Sequence, residues 1–208
     1  GRAVAGAALQ AEEQSARLEA AMPVLDVPVD PASIRVSRQV IDLPFLPPPT
    51  VDEIDTLVAG WTQELQEAKA DSATPPGEIA RLEVYLAWAD EVRSGSLAES
   101  APAEVMTIAI GDVALVLLPG ESFVEFGLEI KERGGSDKIM TLAYANGRPG
   151  YIPHRSAYPA GGYEVDDAYR YYGYPACFAP EAGELVVETA LELLAATQMG
   201  EARSPLRA

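Results

Sequence analysis

The stretch Val105-Met-Thr-Ile-Ala-Ile-Gly-Asp-Val-Ala-Leu-Val-Leu-Leu-Pro-Gly-Glu121 decides the fold class of this chain. Val105, Thr107 and Ala109 alternate with Met106, Ile108 and Ile110, which is the period-two signature of a strand. Gly111-Asp112 supplies a two-residue turn, so a hairpin is the economical reading. Val113 to Leu118 is apolar on both faces, as in a strand buried at the centre of a sheet, and Pro119-Gly120-Glu121 ends it. Ser122 to Arg133, with Phe123, Phe126, Leu128 and Ile130, predicts a helix that stops at Gly134-Gly135, and Lys138 to Ala145 predicts the next strand. The unit is strand, helix, strand, and the fold class it predicts is α/β, a mixed sheet with flanking helices.

Upstream, Ile34, Val36, Val40, Ile41, Leu43 and Phe45 predict a strand that stops at Pro47-Pro48-Pro49. Thr50 and Glu53 have the spacing of a capping box, and Ile54, Leu57, Val58, Trp61 and Leu65 follow at helical intervals. After the polar loop from Asp71 to Gly77, Ile79 to about Arg93 predicts a second amphipathic helix, the pair expected to cover a sheet or a neighbouring chain. Val4, Leu9 and Leu18 predict an amphipathic helix at the start, which opens on Gly1 without a methionine and reads as beginning mid-protein. Downstream, Glu184 to Gln198 predicts a closing helix.

Composition narrows the function. With 208 residues and 48% hydrophobic content the chain is long enough for one good core. No run of about 18 apolar residues predicts a membrane span. Fifteen basic against 32 acidic residues give a formal charge of −17, a field that repels phosphate backbones, and there is no glycine-rich loop with lysine, so nucleic acid is not an expected partner. Cys177 is the sole cysteine and His154 the sole histidine, which excludes a self-contained zinc site of two or three histidines.

Two places could carry chemistry: the strand-end turn at Gly120-Glu121, and the Gly-, Pro- and Tyr-rich stretch from Asn146 to Ala179, long enough to predict a functional loop. Taken singly, Glu121 also reads as an acidic group suiting a helix start, and the tyrosines as a packing or interaction surface.

Their combination resembles a known family. The run from Ile110 to Glu121, then Asn146, Tyr151-Ile-Pro and Gly161-Gly-Tyr-Glu164, resembles the neutral/alkaline non-lysosomal ceramidases and their bacterial relatives over about Glu104 to Gly173. The resemblance implies that residues 1–200 are the C-terminal portion of a larger catalytic domain, with 201–208 a flexible tail. It implies a zinc-dependent amide hydrolase in which Glu121 and Tyr151 are metal ligands and Tyr163 steadies the oxyanion of the tetrahedral intermediate. The remaining ligands, two histidines, would come from an N-terminal part or a partner chain, and the isolated chain would be inactive. Asn146 is placed on the substrate side, as is His154, three residues beyond Tyr151, which otherwise faces solvent. Family habit implies an exported enzyme acting on a small amide or lipid-like substrate. Where ceramidases carry Gly-Glu-Phe-Thr-Thr and Thr-His-Tyr, this chain has Gly-Glu-Ser-Phe-Val and Pro-Gly-Tyr, so amide hydrolysis is implied more firmly than ceramide. The alternative is a non-catalytic binding or assembly module that uses the tyrosine-rich loop as its contact surface.

Overall fold

A computed structural model of the chain describes residues 34–95 and 97–198. The predicted opening helix around Val4 to Leu18 and the tail beyond residue 200 lie outside them.

Four strands form the main sheet, in the order β1 (Ile34–Pro44), β2 (Ser100–Ile110), β3 (Val113–Leu117) and β5 (Ile139–Leu142). β1 runs antiparallel to β2, and β2 turns through Gly111-Asp112 into β3. The turn closes on the pair Ile110 and Val113, and Gly111 takes φ +62°, a backbone that glycine adopts without Cβ strain. β3 then crosses through helix α3 (Val124–Gly134) to β5 (Ile139–Leu142), which lies parallel to it. The predicted hairpin and strand-helix-strand unit are both present, and the mixed α/β sheet with flanking helices is the observed class. β2 is longer than its alternating core suggested because β1 pairs with it along its whole length, back to Ser100.

The closing helix α4 (Pro180–Gln198) packs with α3 on one face of the sheet. Leu43, Val105, Val116, Ile130, Val186 and Leu194 are all buried between them. Burying each such side chain contributes about 1.5–3 kcal/mol. The polar groups inside this layer are mostly matched: Thr107 lies 2.6 Å from the Thr197 hydroxyl, and Thr197 donates to the Leu193 carbonyl at 2.6 Å. Arg35 Nε donates to the Thr197 carbonyl at 2.7 Å, placing a cation where the dipole of α4 favours one.

The opposite face is different. Val36, Ile108, Leu115 and Met140 stand in one register row across all four strands, with Arg38, Met106, Leu117 and Leu142 in the next. All eight are exposed or half-buried, and no described helix packs on them.

Helices α1 (Val51–Ala70) and α2 (Pro76–Arg93) pair with each other. The expected capping box is present: the Thr50 hydroxyl accepts from Glu53 N–H, and the Glu53 carboxylate accepts from Thr50 N–H at 2.7 Å. Instead of covering the sheet, the pair builds its own apolar cluster from Ile54, Trp61, Leu82, Tyr85 and Trp88 and grips the tyrosine-rich loop. Two contacts account for this. Trp88 Nε1 donates to the Tyr174 carbonyl at 2.6 Å. Arg170, whose side chain is 9% exposed, inserts its guanidinium among Trp61, Tyr85, Trp88 and Tyr169 at 4.7 to 5.3 Å from each ring centre, and donates to Asp167 at 2.6 Å. Desolvated cation–π contacts are strong, so Arg170→Ala is expected to cost about 2–3 kcal/mol of unfolding free energy in urea titrations. A change below about 0.5 kcal/mol, the range of ordinary surface substitutions, would remove the clamp from the account.

Candidate functional site

The site grows out of the C-terminal ends of the two parallel strands. The β3–β5 ladder continues beyond both strands: Leu118 N–H donates to the Leu142 carbonyl at 2.7 Å, Ala145 N–H to Leu118 at 3.0 Å, and Tyr144 N–H to Gly120 at 2.8 Å. This extension carries Tyr144 beside Glu121. The backbone then doubles back, with Tyr144 at φ 57° and Asn146 at φ 58°. Asparagine tolerates this left-handed region, but at Tyr144 the Cβ crowds the backbone carbonyl at a cost of about 1–2 kcal/mol, a kind of outlier that gathers at functional sites.

Returning, the chain lays Pro149-Gly150-Tyr151 against Gly120-Glu121. Glu121 N–H donates to the Gly150 carbonyl at 2.9 Å, and β4 (Glu121–Ser122) pairs in parallel with β6 (Tyr151–Ile152), Glu121 opposite Tyr151. Gly120 is required here twice over: its φ is +56°, and a Cβ would sit 2.4 Å from the Gly150 carbonyl oxygen. The Pro-Gly-Glu motif thus has a geometric reason for its glycine.

The Glu121 carboxylate gathers phenols. Tyr144 donates to Oε2 at 2.5 Å and Tyr172 to Oε1 at 3.4 Å, and Tyr151 stands opposite Glu121 in the β4–β6 register. Burial works against ionising Glu121, but these bonds and the nearby Arg148 charge outweigh it and hold the carboxyl below the usual range. It is therefore an anion at neutral pH. The Tyr151 and Tyr144 phenols are pushed upward, first by the hydrogen bond to that carboxylate and then by burial.

Tyr163 stands next in line, its ring centre 5.8 Å from that of Tyr151 and 6.2 Å from that of Tyr171, with 47% of the residue exposed. It opens a π-helical turn (Tyr163–Asp167) whose start is held by the Asp166 carboxylate accepting from Gly162 N–H at 2.7 Å. The next turn, a 3₁₀ segment (Ala168–Tyr172), places Arg170 in its aromatic socket and Tyr172 against Glu121. The clamp and the site are thus five residues or fewer apart along one loop, between Asp167 and Tyr172.

The structure therefore brings together Glu121, Tyr151 and Tyr163. Asn146 lies exposed at the bend after Tyr144. His154 turns to other partners: its Nδ1 lies 2.8 Å from the Ser156 hydroxyl, and its ring meets Phe126 of α3 edge-on at 5.6 Å. Tyr144 and Tyr172 are the site residues that sequence reading did not single out as ligands of the carboxylate. The register of the two parallel strands was the missing signal, because only the extended ladder puts Tyr144 opposite the Gly120-Glu121 turn.

A groove of about 1000 Å³ lies beyond the loop from this cluster, lined by Pro47, Pro48, Leu57, Val165, Tyr169 and Ala176 and by none of Glu121, Tyr151 or Tyr163. Among the described residues no three His, Cys, Asp or Glu side chains converge to hold a metal ion, and no helix is long and apolar enough to cross a membrane. What the cluster offers a metal is two oxygen-bearing side chains, the Glu121 carboxylate and the Tyr151 phenol, set opposite each other by the parallel bridge. Two oxygen donors are fewer than the four ligands of a tetrahedral metal site, so the described residues do not by themselves complete one.

The fold and cluster define an α/β protein with a carboxylate-phenol site at the C-terminal edge of a mixed sheet. Among solved structures, the chain is similar to neutral ceramidase from Pseudomonas aeruginosa, at 15% identity and a TM-score of 0.44 over 84% of this chain and 30% of that one. The chain therefore spans less than a third of that protein's length. No family model and no curated protein matches it.

Proposed function

We propose that this chain is the C-terminal part, or a subunit, of a zinc-dependent amide hydrolase, contributing Glu121 and Tyr151 as ligands and Tyr163 as an oxyanion donor. The two zinc histidines belong to an N-terminal part or a companion chain, and the described residues have no activity by themselves. The observation that carries this reading is the convergence of Tyr151 on an ionised Glu121, with Tyr163 adjacent. A bound zinc ion would supply a water of near-neutral pKa and a Lewis acid for the amide carbonyl. This chain's own groups do the rest. Tyr144 and Tyr172 orient the carboxylate through hydrogen bonds, as outer-shell partners do for metal ligands. Tyr163, exposed and unencumbered by the carboxylate, offers a phenol proton to the oxygen that becomes negative as the carbonyl is attacked. Asn146, exposed at the bend after Tyr144, is assigned to the substrate side of the loop, whereas His154, engaged with Ser156 and Phe126, is left out of it, and the substrate class is a small amide or lipid-like molecule. By the same resemblance the enzyme is exported.

A second reading, a non-catalytic assembly module, is favoured by one observation: Tyr144, Tyr163 and Tyr171 are 60%, 47% and 44% exposed, as a tyrosine-rich contact surface would be. Metal analysis separates the two. The protein purified from its native source, with co-purifying chains retained, is expected to hold about one zinc per complex, the count a single four-ligand site requires. A metal-free complex would overturn the hydrolase in favour of the module.

A further inference from the structure

We infer that Arg170 is a positioning residue for the Glu121 carboxylate, acting through Tyr172. The role bears on a metal ligand only under the hydrolase reading above, on which it rests there; the contact between Tyr172 and Glu121 belongs to the fold itself.

The turn that carries Tyr172 does not place itself. It is a 3₁₀ segment of five residues, Ala168–Tyr172, closed by Gly173 N–H donating to the Arg170 carbonyl at 3.2 Å and Tyr174 N–H to the Tyr169 carbonyl at 3.1 Å. Short 3₁₀ runs have poor hydrogen-bond geometry, so side-chain anchors decide where such a turn sits. Two anchors flank Tyr172, and both lead to α2. On one side, Arg170 enters the socket of Trp61, Tyr85, Trp88 and Tyr169, and its Nη1 donates to the Asp166 carbonyl and the Asp167 carboxylate, each at 2.6 Å. On the other, the Tyr174 carbonyl accepts from Trp88 Nε1 at 2.6 Å.

Between these anchors the Tyr172 ring is closely held. It stacks on Tyr174, ring centres 6.0 Å apart and planes at 20°, and it presses on Gly150, where a Cβ would stand 3.0 Å from the ring. Gly150 precedes Tyr151, so the ring lies against the backbone that carries the second proposed ligand. At its far end the hydroxyl reaches Glu121 Oε1 at 3.4 Å, while Tyr144 holds Oε2. A bond of that length is at the long limit of hydrogen bonding, so a small outward shift of the turn breaks it and leaves the carboxylate held through one oxygen.

The socket is also more than stability requires. Arg170 Nε has no hydrogen-bond partner among the described residues, and a buried donor left unpaired costs stability. Four rings would enclose an apolar side chain without that cost. What the guanidinium adds is direction: the same nitrogen ties the turn to the carbonyl before it and to the carboxylate beside it, while the rings of α1 and α2 fix where that nitrogen lies.

A double-mutant cycle for zinc affinity in the whole native protein tests this. Tyr172→Phe and Arg170→Ala are each expected to weaken zinc binding by about 10–100-fold, as loss of outer-shell partners does, and together no more than the larger of the two alone. Effects that multiply would overturn the inference, as would full zinc affinity in Arg170→Ala with only its melting temperature lowered. Where Arg170→Ala fails to fold, Arg170→Met, which fills the socket without charge or donors, takes its place in the cycle. 3-Fluorotyrosine in place of Tyr172 gives a second reading that needs no zinc. Its fluorine resonance is expected to move on Glu121→Gln and again on Arg170→Ala; a resonance indifferent to either change would overturn the inference. A metal-free native complex in which both changes move the fluorine would keep the role of Arg170 and overturn the hydrolase reading instead.

Discussion

On the proposed hydrolase reading, Glu121→Ala is expected to empty the metal site and abolish amide hydrolysis in the assembled protein while leaving the fold intact. Removing groups that merely orient a ligand costs about 10–100-fold in metal affinity, so loss of the ligand itself should exceed about 100-fold. The substitution is mild for the fold. Glu121 is partly exposed, its backbone bonds to Gly150 survive, and its phenol partners Tyr144 and Tyr172 reach water when released. Metal content by mass spectrometry, paired with circular dichroism and turnover of a short N-acyl amide, reads all three consequences. Full zinc retention by Glu121→Ala would remove Glu121 from the ligand set, whatever the activity did. Glu121→Gln sharpens the test, because the amide keeps an acceptor for Tyr144 but discards the charge, and zinc should still be lost.

Tyr163→Phe is expected to behave oppositely: zinc stays, folding stays, and kcat falls by about 10²–10³, the equivalent of roughly 2.7–4 kcal/mol for one lost oxyanion donor. The split follows from position. Tyr163 touches Tyr151 and Tyr171 through ring edges and faces, contacts phenylalanine preserves, and no hydroxyl bond to Glu121 holds it. Only the proton it offers is deleted. Steady-state kinetics should therefore show kcat falling with KM little changed. A parallel loss of zinc would make Tyr163 a structural support of Tyr151, and unchanged kcat would leave it a packing residue.

Much of the fold was legible along the chain. The Thr50 capping box, the Gly111-Asp112 hairpin and the Gly135 stop of α3, at φ +65°, are local devices, set by hydrogen bonds and backbone freedom within a few residues. The partner of the α1–α2 pair was not legible, because an amphipathic stripe states that a face is buried and not by what. Arg170 shows the same limit: one arginine in a tyrosine-rich run carries no sign of the four rings that surround it, which come from both helices and from its own loop.

The site divides along the same line. Glu121, Tyr151 and Tyr163 were nominated by the resemblance of their motifs to a known family, and each follows a glycine at positive φ. Tyr144 and Tyr172 could not be, since they reach Glu121 across 23 and 51 residues of sequence. The sequence alone indicated the four main-sheet strands, the long helices, the Thr50 cap and the charge, all of them properties of neighbours in the chain. The tertiary structure decided which phenols meet the carboxylate, which arginine locks the loop, and which face of β3 the described helices bury. Those depend on strand register and on which layer packs against which, and no local pattern specifies either.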